Sequence, residues 1–146
     1  MRRAVIWTGL TLIALVLASF LFLLRPYFVE LSMRREAKAI AEVVASEIVF
    51  ISKMRESGAI AGQRVLNVEL EENKLAEIMI YNDSVVVRLI ADSQSVTASV
   101  GFISSIPVIS PPKVYGGKII FILSYNSTAN SYFVHVTNLV GTDTAG

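Results

Sequence analysis

The chain is 146 residues long, 53% hydrophobic and only 17% charged, so it holds one ordinary domain with an appendage and excludes a large multidomain enzyme. A mean hydropathy of +0.59 excludes disorder and requires that some apolar surface face something other than water. A net charge of +1, no cysteine and one histidine, His135, exclude the bulk electrostatic footprint of a nucleic-acid binder, disulfide or thiolate-metal chemistry and a His-rich metal cluster.

The first predicted element is a membrane helix. Residues 4–24 read AVIWTGLTLIALVLASFLFLL, twenty-one residues with no formal charge, flanked by Arg2 and Arg3 on one side and by Arg25 and Pro26 on the other. At about 1.5 Å per residue such a helix spans about 30 Å, the thickness of a bilayer's hydrocarbon core. Thr8, Thr11 and Ser19 interrupt the apolar surface, and each can bond back to a backbone carbonyl one turn earlier. The run is longer than the ~7–15 apolar residues of a removable secretory signal, and Phe-Leu-Phe-Leu-Leu-Arg-Pro at its end offers no small-x-small cleavage site. Retention of the helix is expected. Basic residues stand on both sides, so their count leaves the orientation open.

A second helical pattern follows. Met33, Ala37, Ile40, Val44, Ile48 and Ile51 recur at spacings of three and four, with Arg35, Lys38, Glu42 and Ser46 off that stripe, which defines an amphipathic helix packed on a domain. Lys38 and Glu42 are an i,i+4 pair, and Gly58 with Gly62 supplies the stop. Pro26 removes a backbone donor between two strongly helical flanks and is expected to bend one long helix. The expected organisation is a helix over 5–58, membranous to about 25 and amphipathic after Pro26.

From Gln63 the period shifts to two. Runs at 64–70, 75–81, 85–91, 96–102, 118–125 and 132–138 are rich in Val, Ile, Phe and Tyr and separated by polar turns, as in half-buried antiparallel strands. Asn82-Asp83 predicts a hairpin and Tyr115-Gly116-Gly117-Lys118 another turn, while Pro107, Pro111 and Pro112 predict an irregular loop or edge. The fold class is therefore α+β: a long N-terminal helix followed by a small antiparallel β-sandwich over 63–140, with 141–146 a flexible tail.

Chemistry-bearing clusters are sparse. His135 alternates with apolar neighbours in Tyr-Phe-Val-His-Val and reads as a surface strand residue. Glu69, Glu71 and Glu72 lack the spacing of a calcium loop and read as a solvated strand end. No phosphate-cradling loop, nucleophile elbow or metal-ligand pair is present in the sequence, so no catalytic, metal or cofactor residue is expected. Two Asn-x-Ser/Thr triplets, at Asn82 and Asn126, fall in predicted turns and are candidate glycosylation sites. Tyr115, Phe121, Tyr125, Tyr132 and Phe133 read as core and cross-strand aromatics.

Arg2-Arg3-Ala4 followed by Val5-Ile6 resembles the class III signal of archaeal type IV pilins and pilin-like proteins, in which a short basic leader and a small residue precede a helix that stays in the mature chain. The resemblance implies cleavage after Ala4 by a prepilin-type peptidase. It also implies a bend near Pro26 and a structural role as a filament subunit that self-assembles through its apolar helix, with the β domain at the cell surface. Gly9, Ile13, Ala14, Leu17, Ala18, Leu21 and Pro26 would take part in helix packing. It implies no cofactor and no nucleic-acid partner. The chain departs from bacterial pilins in carrying Gly9 and no acid before Glu30, where those proteins place a glutamate early in the helix. An uncleaved, membrane-anchored β-sandwich similar to archaellum stator proteins is the related alternative. Both resemblances put the amino terminus inside.

Overall fold

The computed structural model describes residues 2–139, which form one helix and eight strands. The helix α1 (Arg2–Glu56) has Pro26 within it. Two compact units divide between Met33 and Arg34, inside the helix by sequence, and each is described separately.

The described residues of the first unit are all helical. Ala, Leu and other good helix formers fill it. Its hydroxyls are absorbed by the helix itself, Thr8 donating to the Ala4 carbonyl, Thr11 to that of Trp7 and Ser19 to that of Leu15. Helical structure is continuous through Pro26, whose ring nitrogen carries no hydrogen for the carbonyl of Phe22.

In the second unit, Ala37, Ala41, Val44, Ala45, Ile48 and Ile51 of α1 are buried, while Arg35, Lys38, Glu42 and Ser46 are exposed. Ile40 of the expected stripe is only half-buried. Gly58, at φ +97°, ends the helix. The Gly58 N–H donates to the Arg55 carbonyl and the Ala59 N–H to that of Met54, each at 3.0 Å, the paired bonds of a Schellman cap.

The strands are β1 (Gly62–Val68), β2 (Lys74–Ile80), β3 (Ser84–Ala91), β4 (Gln94–Gly101), β5 (Val108–Ile109), β6 (Val114–Tyr115), β7 (Gly117–Asn126) and β8 (Ser131–Leu139). They make two four-stranded sheets, β1-β7-β8-β5 and β4-β3-β2-β6. All pairings are antiparallel except β5 with β8. Ile119, Phe121, Leu123, Val134 and Val136 line the buried face of the first sheet. Ala76, Ile78, Ile80, Val85, Val87, Leu89 and Val114 line that of the second, the period-two burial that antiparallel strands impose.

Polar contacts from those same faces reach α1. Arg64, opposite Phe121 in register, donates through Nε to Glu47 Oε2 at 2.8 Å and lies over the Phe50 ring. Lys74, at the start of β2, donates to Glu36 at 2.7 Å, and Arg55 stacks 3.9 Å from the Tyr132 ring centroid. Ser52, almost fully buried, accepts the Ser105 N–H at 2.9 Å. Residues 36–55 of the helix thus bind both sheets.

The turn expected from Tyr115 to Lys118 joins two sheets rather than two paired strands: β6 pairs with β2, and β7 with β1 and β8, so Gly116 and Gly117 carry the chain from one sheet to the other. Gly117 has φ +114°, and a Cβ on Gly116 would stand 2.7 Å from Leu70 Cδ1. The reading of the aromatics is corrected in part: among the five only Phe121 is fully buried, Tyr115 is exposed because it alternates with the inward-facing Val114 and so lies on the outer face of its sheet, and Tyr125 is exposed because it lies at a strand end past the packed region. Tyr125 and Tyr132 do pair across strands, with ring centroids 4.9 Å apart. The expected tail at 141–146 lies outside the described residues.

Phe121→Ala should cost about 3–5 kcal/mol, read as a lowered midpoint in denaturant unfolding of the detergent-solubilised chain; a change below about 1 kcal/mol would contradict the assignment of Phe121 to the core. The hydrogen bond to Glu36 raises the Lys74 pKa above its ordinary value, aided by Glu71 against some desolvation. A raised folded-state pKa stabilises at every pH below the unfolded lysine value of about 10.4 and is lost as pH climbs through the folded one. The Lys74–Glu36 coupling, about 0.5–1 kcal/mol in a double-mutant cycle, should therefore be constant from about pH 7 to 9 and be lost as pH climbs through the raised Lys74 value.

Candidate membrane and assembly surface

The most unusual surface of the chain is the first unit. Every residue of 2–30 except Leu24, which is half-buried, is exposed, and the large side chains range up to Phe22 at 76%. The most apolar stretch of α1 is long and apolar enough to cross a membrane and has none of its residues buried. A soluble core helix hides its apolar face in its own domain; this segment does not.

Gly9, Ile13, Leu17 and Leu21 follow at intervals of four, as do Ala14 and Ala18. At about 100° per residue both rows fall on one half of the helix. A Cβ built on Gly9 meets nothing within 4 Å, so its small size serves no contact inside the chain. In a helix interior that glycine costs about 1 kcal/mol against alanine. Arg2, Arg3, Ala4 and Val5, the residues on which the resemblance to a class III signal rests, are all helical and exposed.

The titratable residues singled out in the sequence are dispersed. His135 stands on the outward face of β8 beside Phe133, ring centroids 6.2 Å apart and planes perpendicular, while its neighbours Val134 and Val136 point inward. Glu69 accepts from Asn67 Nδ2 at 3.1 Å, and Glu71 pairs with Lys74 at 3.2 Å. Among the described residues no group of three His, Asp or Glu side chains is placed to hold a metal ion.

The Arg64 guanidinium is held above its ordinary pKa by its hydrogen bond to Glu47, a structural contact with no acid–base vacancy beside it. A shallow groove between α1 and β1, lined chiefly by Ile40, Val43, Leu66 and Val68, was not legible in the sequence, because it joins residues from two elements with different periods. It offers apolar contact and little polar chemistry.

Asn82 and Asn126 are both exposed. The Asn82 Oδ1 accepts the Val108 N–H at 3.0 Å, whereas the Asn126 Oδ1 accepts the N–H groups of Thr128 and Ala129 within its own turn. Comparisons with models of protein families, with curated proteins and with solved structures give no match to this chain.

Ala14→Arg should place a charge near the middle of the apolar segment at a cost on the order of 3 kcal/mol for membrane insertion. Fractionation of cells should show that variant depleted from membranes by at least tenfold against wild type. Equal membrane recovery would show that the segment is not embedded.

Proposed function

We propose that this protein is a structural subunit of a type IV pilus-like surface filament, made as a membrane precursor with its amino terminus inside and its β domain outside. The supporting observation is the exposed, uncharged segment 4–24, joined in sequence to a domain that has its own core. On this reading a prepilin-type peptidase cuts between Ala4 and Val5. The helix then leaves lipid for a bundle of identical helices, which is as apolar as the bilayer it replaces. Gly9, Ala14 and Ala18 let neighbouring backbones approach, and Ile13, Leu17 and Leu21 fill the space between them. The assembly is heterologous and open, one face of each subunit meeting a different face of the next. The β domains form the sheath. No catalytic group, metal or cofactor is assigned any part.

The second reading is a permanently anchored, uncleaved stator or envelope-binding module. One observation favours it: Arg2 through Val5 are helical, so a peptidase would have to unwind its substrate there. Intact mass and electron microscopy of material sheared from cells separate the two. The filament reading expects chains beginning at Val5 in polymers; full-length chains confined to membranes, with no polymer, would establish the anchored module instead.

A further inference from the structure

The two Asn-x-Ser/Thr triplets are identical in kind by sequence but different in structure. Asn126-Ser127-Thr128 opens the turn between β7 and β8, where residues 125–131 are all exposed. The Asn126 side-chain oxygen accepts the Thr128 N–H at 3.0 Å and the Ala129 N–H at 3.2 Å. The oxygen is therefore committed to the backbone, and the amide nitrogen Nδ2 is turned away from it with no hydrogen-bond partner among the described residues. The Thr128 hydroxyl has none either. Asn130, at φ +49°, returns the chain to β8 and accepts the Tyr125 hydroxyl, so the turn is held at both ends while its tip stays open.

Asn82-Asp83-Ser84 is closed by comparison. The Asn82 oxygen binds the backbone of β5, at Val108, and fixes the side chain onto a neighbouring segment. The Ser84 hydroxyl, half-buried at the start of β3, donates to Asp83 Oδ1 at 2.9 Å. The Ser84 backbone carbonyl is also engaged, by the Tyr81 N–H at 2.9 Å. Presenting this triplet would require breaking the Asn82–Val108 contact and loosening the first pairing of a hairpin.

From this contrast we propose that Asn126 is the site of N-linked glycan attachment and that Asn82 is left unmodified. The co-substrate is a sugar carried on a polyprenyl phosphate. The Asn126 Nδ2 forms a bond to the sugar's anomeric carbon, the bond from that carbon to the carrier's phosphate oxygen breaks, and the phosphate leaves with the electron pair. The amide gives up one proton to a base of the transferring enzyme. At Asn126 the whole turn is exposed and the hydroxyl two residues on is free, whereas at Asn82 the corresponding Ser84 hydroxyl is half-buried and already engaged. The inference needs the β domain to meet a glycosyl-transfer machinery, which lies on the exterior side of a membrane, but it does not need the chain to polymerise.

The test is peptide mapping by mass spectrometry of the protein isolated from its own cells, both from membranes and from sheared material. The expected result is a hexose- or hexosamine-containing mass increment on the peptide bearing Asn126 and none on the peptide bearing Asn82. Asn126→Gln and Thr128→Ala should each remove the increment, while Asn82→Gln leaves it intact. An unmodified Asn126 peptide in the native protein, or an increment carried by Asn82 alone, would overturn the inference. Failure of the filament reading has a different signature: modified Asn126 on a chain found only in membranes would leave this inference standing and remove that one.

Discussion

The governing constraint is the cost of leaving residues 4–24 in water. Each large apolar side chain there forgoes about 1.5–3 kcal/mol by not being buried. Val5, Ile6, Trp7, Leu10, Leu12, Ile13 and the run from Leu15 to Leu23 are mostly exposed in the single chain. The sum reaches tens of kcal/mol, more than the ~5–15 kcal/mol by which a whole domain is stable. The segment is therefore suited to an apolar surrounding such as the interior of a membrane, and the proposed function follows from that suitability.

The change at Pro26 and beyond is a change of hydrophobic pattern within one helix. Before it, apolar residues occur all round and the hydroxyls are absorbed by the backbone. After it, Ala37, Ala41, Val44, Ala45, Ile48 and Ile51 are confined to a stripe that is buried, while Glu36, Glu47 and Arg55 at its margins hold Lys74, Arg64 and the Tyr132 ring. The ion pairs are partly exposed and contribute little energy each. Their value lies in register: Arg64 is on an edge strand and points inward, which also discourages that edge from pairing with strangers.

Much of this was legible without coordinates. The switch of hydrophobic period from 3.6 to 2 after Gly62 marked the helix and six of the eight strands, because Val, Ile, Phe and Tyr at alternate positions leave few other choices. The two short strands, Val108–Ile109 and Val114–Tyr115, carry too few residues to show any period. Gly116-Gly117 marked a turn but not which strands it joins, because a glycine pair serves a hairpin and a sheet-to-sheet crossing equally well; only the long-range partners of β6 and β7 decide between them. Tyr125 and Tyr132 share the inward parity of their strands yet sit past the packed region, a distinction that alternation alone does not contain. For the candidate surface, the apolar segment and its small residues were plain in the sequence, whereas the difference between Asn82 and Asn126 depends on a contact with Val108 twenty-six residues away.

The most direct test of the account is alkaline carbonate extraction of the native cells, followed by sedimentation and identification of the chain in each fraction. Residues 4–24 should hold the protein in the pelleted membranes or in sedimenting polymers, with no free chain in the supernatant. A soluble monomer that retains those residues in the carbonate supernatant would contradict it.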